Sequence, residues 1–193
     1  MYKNKEIARF LKEGLKKDKV FIEKKGEDYY ISDSVAIYKV REENFEKIPR
    51  EVIPRLPEKG EVLQYSRRTD PYRCNLKPCD LLRDLAKKKE REFKITSLFF
   101  KVPGLSCFVP IFQSEKGITL LQQKYLDIFE ELWGLSFYST GQRATEPLIV
   151  YKYDSPIAAL MPLNMESIQA AGEALREVAG VVVEDGASEG EVL

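Results

Sequence analysis

Apolar positions in this chain recur first at helical and then at strand spacing. Between residues 4 and 17, Ile7, Ala8, Leu11 and Leu15 fall on one side of a helix, while Lys5, Arg9, Lys12 and Lys16 share the other. The period then shortens. Strand-like runs cover 19–24, 28–32 and 35–40, and Lys25-Gly26-Glu27 and Asp33-Ser34 read as the turns between them. Pro49, Pro54 and Pro57 interrupt residues 42–60; proline fixes φ and lacks a backbone donor, so this stretch is a short helical turn followed by a connector.

A second helix is predicted over 80–90, behind Pro78. Its apolar face is Leu81, Leu82, Leu85 and Ala86, and Arg83, Lys87, Lys88, Lys89 and Arg91 charge its surface. Strands follow over 93–102 and 106–113, split by Pro103-Gly104. A third helical stripe runs through Leu121, Tyr125, Ile128, Phe129 and Leu132. Strands over 135–139, 148–153 and 157–163 come next, with Asp154-Ser155 as a tight turn. Residues 166–179 are helix-prone, and the acidic stretch 184–193 reads as disordered. A helix followed by strands thus recurs three times, in units of about 40–55 residues without obvious identity between them. The fold class this predicts is α+β. The expected organisation is a helix-plus-meander unit over 1–41, a connector over 42–60, an α+β domain over 61–165, and a C-terminal helix with an acidic tail over 166–193.

Composition changes this picture mainly by what is missing. The 193 residues include no histidine, which removes the commonest general base, the usual triad partner and the commonest metal ligand. There is no Gly-rich phosphate loop, no G-x-S-x-G and no acidic metal cluster. Adjacent carboxylates such as Glu42-Glu43 and Glu130-Glu131 point apart on a helix and do not form an acid/base dyad. The expectation is a protein that is not an enzyme and carries no cofactor or metal. Cys74 and Cys79 are spaced C-x4-C, and with Cys107 they are too few for a disulfide framework; buried or idle thiols are the simpler assignment. No apolar run of about 18 residues exists, and the N-terminus moves straight into charged helical sequence, so a cytoplasmic protein with no membrane contact is expected.

Charge is unevenly spread although it sums to zero. The net charge is +3 over residues 1–60, +5 over 61–117, −2 over 118–165 and −6 over 166–193. Such local fields steer association. Lys12 and Lys16 on the first helix, Arg67 and Arg68 upstream of the second, and Arg83, Lys87, Lys88, Lys89 and Arg91 around it are candidate phosphate contacts; part of the last cluster also complements a helix C-terminus. Tyr65, Tyr72, Phe99 and Phe100 lie near these cations in sequence, but adjacent Phe99 and Phe100 in a strand face opposite ways, so at least one belongs to a core.

Four phrases in the C-terminal third go further: Leu121-Gln-Gln-Lys-Tyr125-Leu126, Leu135-Ser-Phe-Tyr-Ser139, Glu146-Pro147-Leu-Ile-Val-Tyr151 and Ile157-Ala-Ala-Leu-Met161-Pro162-Leu163. Together they resemble the C-terminal end of a bacterial DNA polymerase sliding clamp, the processivity factor of replication. Gln122 stands where that family often has Asn, and Asn164 where it often has Arg. The resemblance covers residues 118–165, thins over 61–117 and is one of pattern alone over 1–60. It implies half-modules of one helix and an antiparallel set of strands. It implies basic helices facing double-stranded DNA, and a groove at the last strand, formed by Ala159, Met161, Pro162 and Leu163, for short peptide motifs of polymerases or repair proteins. Met161 and Leu163 would also alternate into a sheet core on strand periodicity alone. A ring built from so short a chain needs a closed homo-oligomer, and a phage or mobile element is a fitting source. The third helix carries Asp127, Glu130 and Glu131 against Lys124 alone. That composition keeps open a second expectation: a clamp-fold interaction or regulatory module without DNA binding.

Overall fold

The computed structural model describes residues 2–102 and 108–179. Helix α1 (Asn4–Lys16) leads into a meander of β1 (Val20–Lys25), β2 (Asp28–Ser32) and β3 (Ala36–Arg41). The single turn α2 (Glu42–Phe45), strands β4 (Val62–Tyr65) and β5 (Tyr72–Arg73), and helix α3 (Pro78–Ala86) follow. Then come β6 (Arg91–Lys101), β7 (Phe108–Ser114) and β8 (Gly117–Leu120), the turn α4 (Gln123–Leu126), strands β9 (Leu135–Ser139), β10 (Leu148–Lys152) and β11 (Ser155–Leu160), and helix α5 (Met165–Ala179).

All eleven strands join in the order β5-β4-β1-β2-β3-β11-β10-β9-β6-β7-β8, every neighbouring pair antiparallel. The fold is therefore α+β, one large antiparallel sheet with helices on it. About the β3–β11 pair the order is mirrored for three strands on each side, β1-β2-β3 and β11-β10-β9. On each side lies a three-strand meander that its own helix, α1 or α4, precedes in the chain.

Strand alternation divides the helices between the two faces. Tyr38, Val150 and Ala158 belong to the main core with Ile7, Phe10 and Leu11 of α1 and with Tyr125 and Leu126 of α4. Their sequence neighbours Ile37, Ile149 and Ala159 lie on the opposite face, packed with Leu82, Leu85 and Ala86 of α3. A third cluster sets Ile168 and Ala171 of α5 against Val109, Ile111, Ile118 and Leu120. Ile111 is in this cluster while Phe112 is in the main core, so α5 shares the α3 face.

Local chemistry anchors each helix. Ile7, Phe10, Leu11 and Gly14 are the buried stripe of α1. Pro78 opens α3, and the buried carboxylate of Glu23 on β1 accepts the Cys79 N–H at 2.8 Å, capping that N-terminus. At the other end, the Tyr151 hydroxyl donates to the Ala86 carbonyl at 2.9 Å. The Asn164 side chain caps α5 by accepting the Ser167 N–H at 3.0 Å.

The third expected helix is cut to one turn. Leu121, Tyr125, Ile128 and Phe129 are all buried, as their spacing required, but Lys3 N–H donates to Ile128 O at 2.8 Å and Tyr2 bridges Phe129 as a strand partner. The stripe is satisfied by a turn followed by extended chain. Strands β4, β5 and β8 fall where none was expected: β4 pairs with distant β1, β5 completes that edge beside β4, and β8 completes the opposite edge as a hairpin with β7. The expected acidic tail, and Cys107, lie outside the described residues.

Gly14 shows how tightly α1 seats on the sheet: a Cβ there would lie 2.5 Å from Cγ2 of buried Val20. Valine is stiff at χ1 and cannot swing away. Gly14→Ala gains about 1 kcal/mol of helix propensity and meets an overpacking cost of about 1–3 kcal/mol. The expected outcome is a net loss of about 1 kcal/mol, read as a lower urea midpoint with unchanged m.

Candidate protein-binding edge

Strand β6 is the longest in the sheet and serves two neighbours unequally. Its first three residues pair with β9: Arg91 with Ser139, Glu92 with Tyr138, Phe93 with Phe137. Continued, that register would set Ile95 against Leu135, but no such pair forms. From Lys94 to Lys101 the strand pairs only with β7, and a bulge between Ile95 and Phe99 offsets the register. Thr96 anchors the bulge: its hydroxyl donates to Ile111 O at 2.9 Å and accepts the Leu98 N–H at 3.1 Å. The remaining edge of β6 is bare among the described residues.

The side chains along this arm are apolar and open to solvent. Phe93 is buried, but Ile95, Leu98 and Phe99 are 38%, 50% and 56% exposed, and Phe108 of β7 is 59% exposed. Phe100, Val102 and Val109 point to the other face, into the cluster that α5 covers. By alternation Phe99 and Phe108 occupy the face that α5 does not cover. An unpaired strand edge flanked by exposed phenylalanines is a surface that natural sheets normally hide.

The expected DNA contacts fall into two groups on opposite faces. Lys12 and Arg67 together line an open depression of about 440 Å³ with Leu15, Val52, Pro54 and Tyr65. Lys16 is one turn further along α1, and Arg68 follows Arg67 in the loop after β4. That loop is tied to α1 through Asp18, whose carboxylate accepts the Ser66 hydroxyl at 2.6 Å and the Arg67 N–H at 3.2 Å. These two hydrogen bonds, the hydroxyl first, hold the Asp18 carboxyl below its ordinary range. The second group sits around α3 and is engaged internally. Arg83 pairs with Asp80 at 3.1 Å and Lys87 with Asp84 at 2.8 Å, while Lys89 lies 3.7 Å from the Tyr138 ring centroid. Lys88 is exposed, and Arg91 begins β6. The sheet separates the two groups.

The four residues of the expected peptide groove also diverge. Ala159 is 4% exposed beneath α3. Leu163 donates its N–H to Leu120 O at 2.9 Å and packs in the α5 cluster. Met161, its N–H bonded to Val35 O, is 40% exposed, and Pro162 is half-buried. Helices thus fill two of the positions.

Among the described residues, no group of three or more Cys, Asp or Glu is placed to hold a metal ion, and no helix is long and apolar enough to cross a membrane. Cys74 and Cys79 carry free thiols, and burial pushes that of Cys74 up. No protein-family model, curated protein or solved structure matches the chain.

The buried carboxylate of Glu61 is structural. Glu61 accepts the Glu58 N–H at 3.0 Å, Arg55 at 2.8 Å and Arg73 at 2.9 Å. The backbone bond, followed by the Arg73 guanidinium and the charges of both arginines, overcomes burial and lowers its pKa. A depressed carboxylate stabilises the fold above its unfolded pKa, about 4, and that contribution disappears as pH falls through the lower folded value. Glu61→Gln should therefore lose about 1 kcal/mol at pH 7, since the arginine partners are half or more exposed. It should also show a smaller stability loss than the parent between pH 5 and pH 2, measured by urea midpoints.

Proposed function

We propose that this chain is a non-catalytic protein-binding module that captures an extended segment of a partner on the bare edge of β6. The observation carrying this reading is the coincidence, on one arm, of a strand edge that is unpaired from Lys94 to Lys101 among the described residues with exposed Ile95, Leu98, Phe99 and Phe108. Main-chain groups along such an edge supply affinity by strand addition, and apolar side chains on alternate positions supply fit. In the clamp-like build that residues 121–163 suggest, binding partners through short segments is the expected role. What differs is the place: the arm rather than the groove at Ala159, Met161, Pro162 and Leu163.

DNA contact is the second reading, and one observation favours it: Lys12 and Arg67 converge on one depression, with Lys16 and Arg68 close by in the chain. Encirclement by this chain has weaker support, because α1 and α3 lie on opposite faces and the α3 cations are paired internally. Four cations engaging phosphates would give a salt slope of roughly −4 in log affinity against log salt.

Two measurements separate these readings. Titrating the chain into a labelled random duplex at about 50 and 200 mM salt should give weak binding that vanishes at the higher concentration. Selection from a random eight-residue peptide library should enrich extended, β-prone sequences, and Phe99→Glu or Phe108→Glu should reduce their affinity at least tenfold. Both side chains are exposed, so the variants are expected to fold. Duplex binding that persists at high salt, combined with no peptide enrichment, would replace this proposal with the DNA reading.

A further inference from the structure

The chemistry of the β6 arm selects among partners. Residues 93–114 contain no Asp or Glu and two cations, Lys94 and Lys101. Both are exposed, they bracket the bare edge, and among the described residues neither has an ion-pair partner. Lys94 and Lys101 pair with Gln113 and Phe108, five steps apart on β7, so the two charges sit roughly 17 Å apart along the strand, one toward each face of the sheet.

Resting on the protein-binding reading above, we propose that this edge takes an acidic, β-prone peptide strand from another protein, with apolar residues on alternate positions and carboxylates toward its two ends. A second copy of the chain fits poorly. Any antiparallel seam of β6 on β6 would gather two lysines from each copy and no carboxylate from residues 93–114, so like charges would meet there without a counter-charge. Edge lysines commonly guard against such self-pairing. Here they leave the edge available to a strand of opposite charge. Carboxylates at both ends of an incoming strand would meet Lys94 and Lys101, while apolar side chains along one of its faces cover Ile95 and Phe99. Steering by the two cations also raises the encounter rate, so the interaction carries a salt dependence that a purely apolar groove lacks.

The chain itself contains a sequence of related chemistry: residues 180–193 hold Val181-Val182-Val183 followed by Glu184 and Asp185. The preceding helix α5 packs on the other face of the same arm. The test must therefore tell a partner strand from this one.

Three eight-residue peptides with identical apolar positions, carrying Glu, Ser or Lys at the remaining sites, serve as probes. They are titrated into the full chain, the chain ending at Ala179 and the double variant Lys94→Glu/Lys101→Glu, with circular dichroism checking each fold. The full chain should bind the Glu peptide about tenfold more tightly than the Lys peptide. The double variant should reverse that order. Equal binding of all three peptides would overturn the acidic specificity and leave the protein-binding reading standing. No binding of any peptide to either the full or the shortened chain would remove both. Binding that appears only in the shortened chain would assign the edge to residues 180–193 and overturn the partner strand. Concentration-dependent dimerisation abolished by Phe99→Glu would give the edge to a second copy and likewise overturn it.

Discussion

Three cross-strand pairs between β3 and β11 make one sheet out of two meanders, and the placement of every helix follows from them. Each pair sets a large side chain against an alanine: Tyr38 against Ala158, Ile37 against Ala159, Leu160 against Ala36. That size match lets helices approach the join closely. Tyr38 fills one face, ringed by Tyr2, Phe10 and Phe129 with centroids 5.2–6.5 Å away, and its hydroxyl reaches the Tyr125 carbonyl at 2.9 Å. Edge-on aromatic contacts of this kind add to the stabilisation from burial alone. On the other face, the small Ala159 admits α3. Because α1 and α3 are committed to opposite faces here, their cations cannot line a common surface.

The same join determines what happens at the far end of the sheet. The C-terminal meander ends at β9, and β9 accepts only the first three residues of β6. The rest of β6 follows β7 and β8, which α5 covers on one side only. The strand is consequently shared between two pairing regimes, and the edge it exposes between them is a by-product of that division. Its apolar side chains would be a liability on an ordinary surface. Two flanking lysines and a bulge limit self-pairing, while the backbone groups that face away from β7 are left for a strand of suitable charge.

Local signals in the sequence were strong where pairing partners are close in the chain. The stripe of α1 and the turns at Gly26 and Ser34 delimit the first helix and meander within about one residue of their observed ends. The stripe from Leu121 to Leu132 misled about length, because burial of Ile128 and Phe129 is achieved by pairing with Lys3 and Tyr2, far away in sequence. Strands of two to four residues such as β4, β5 and β8 carry too little periodicity to register. The candidate edge was half legible. A strand over 93–102 with adjacent phenylalanines was readable, and so was the absence of Asp and Glu between Glu92 and Glu115. That β9 would release β6 after Phe93 depends on sheet register, which no local pattern encodes. For the same reason Ala159 and Leu163 could be assigned to a strand without any sign that α3 and α5 cover them.

Amide hydrogen exchange along residues 94–101 of the isolated chain probes the bare edge itself. Amides bonded to β7 should be protected, and those facing away from it should exchange at rates close to unfolded chain, becoming protected only when a strand is bound. Uniform slow exchange across all eight positions in the isolated protein would mean that the edge is already paired, and a binding role for it would be untenable.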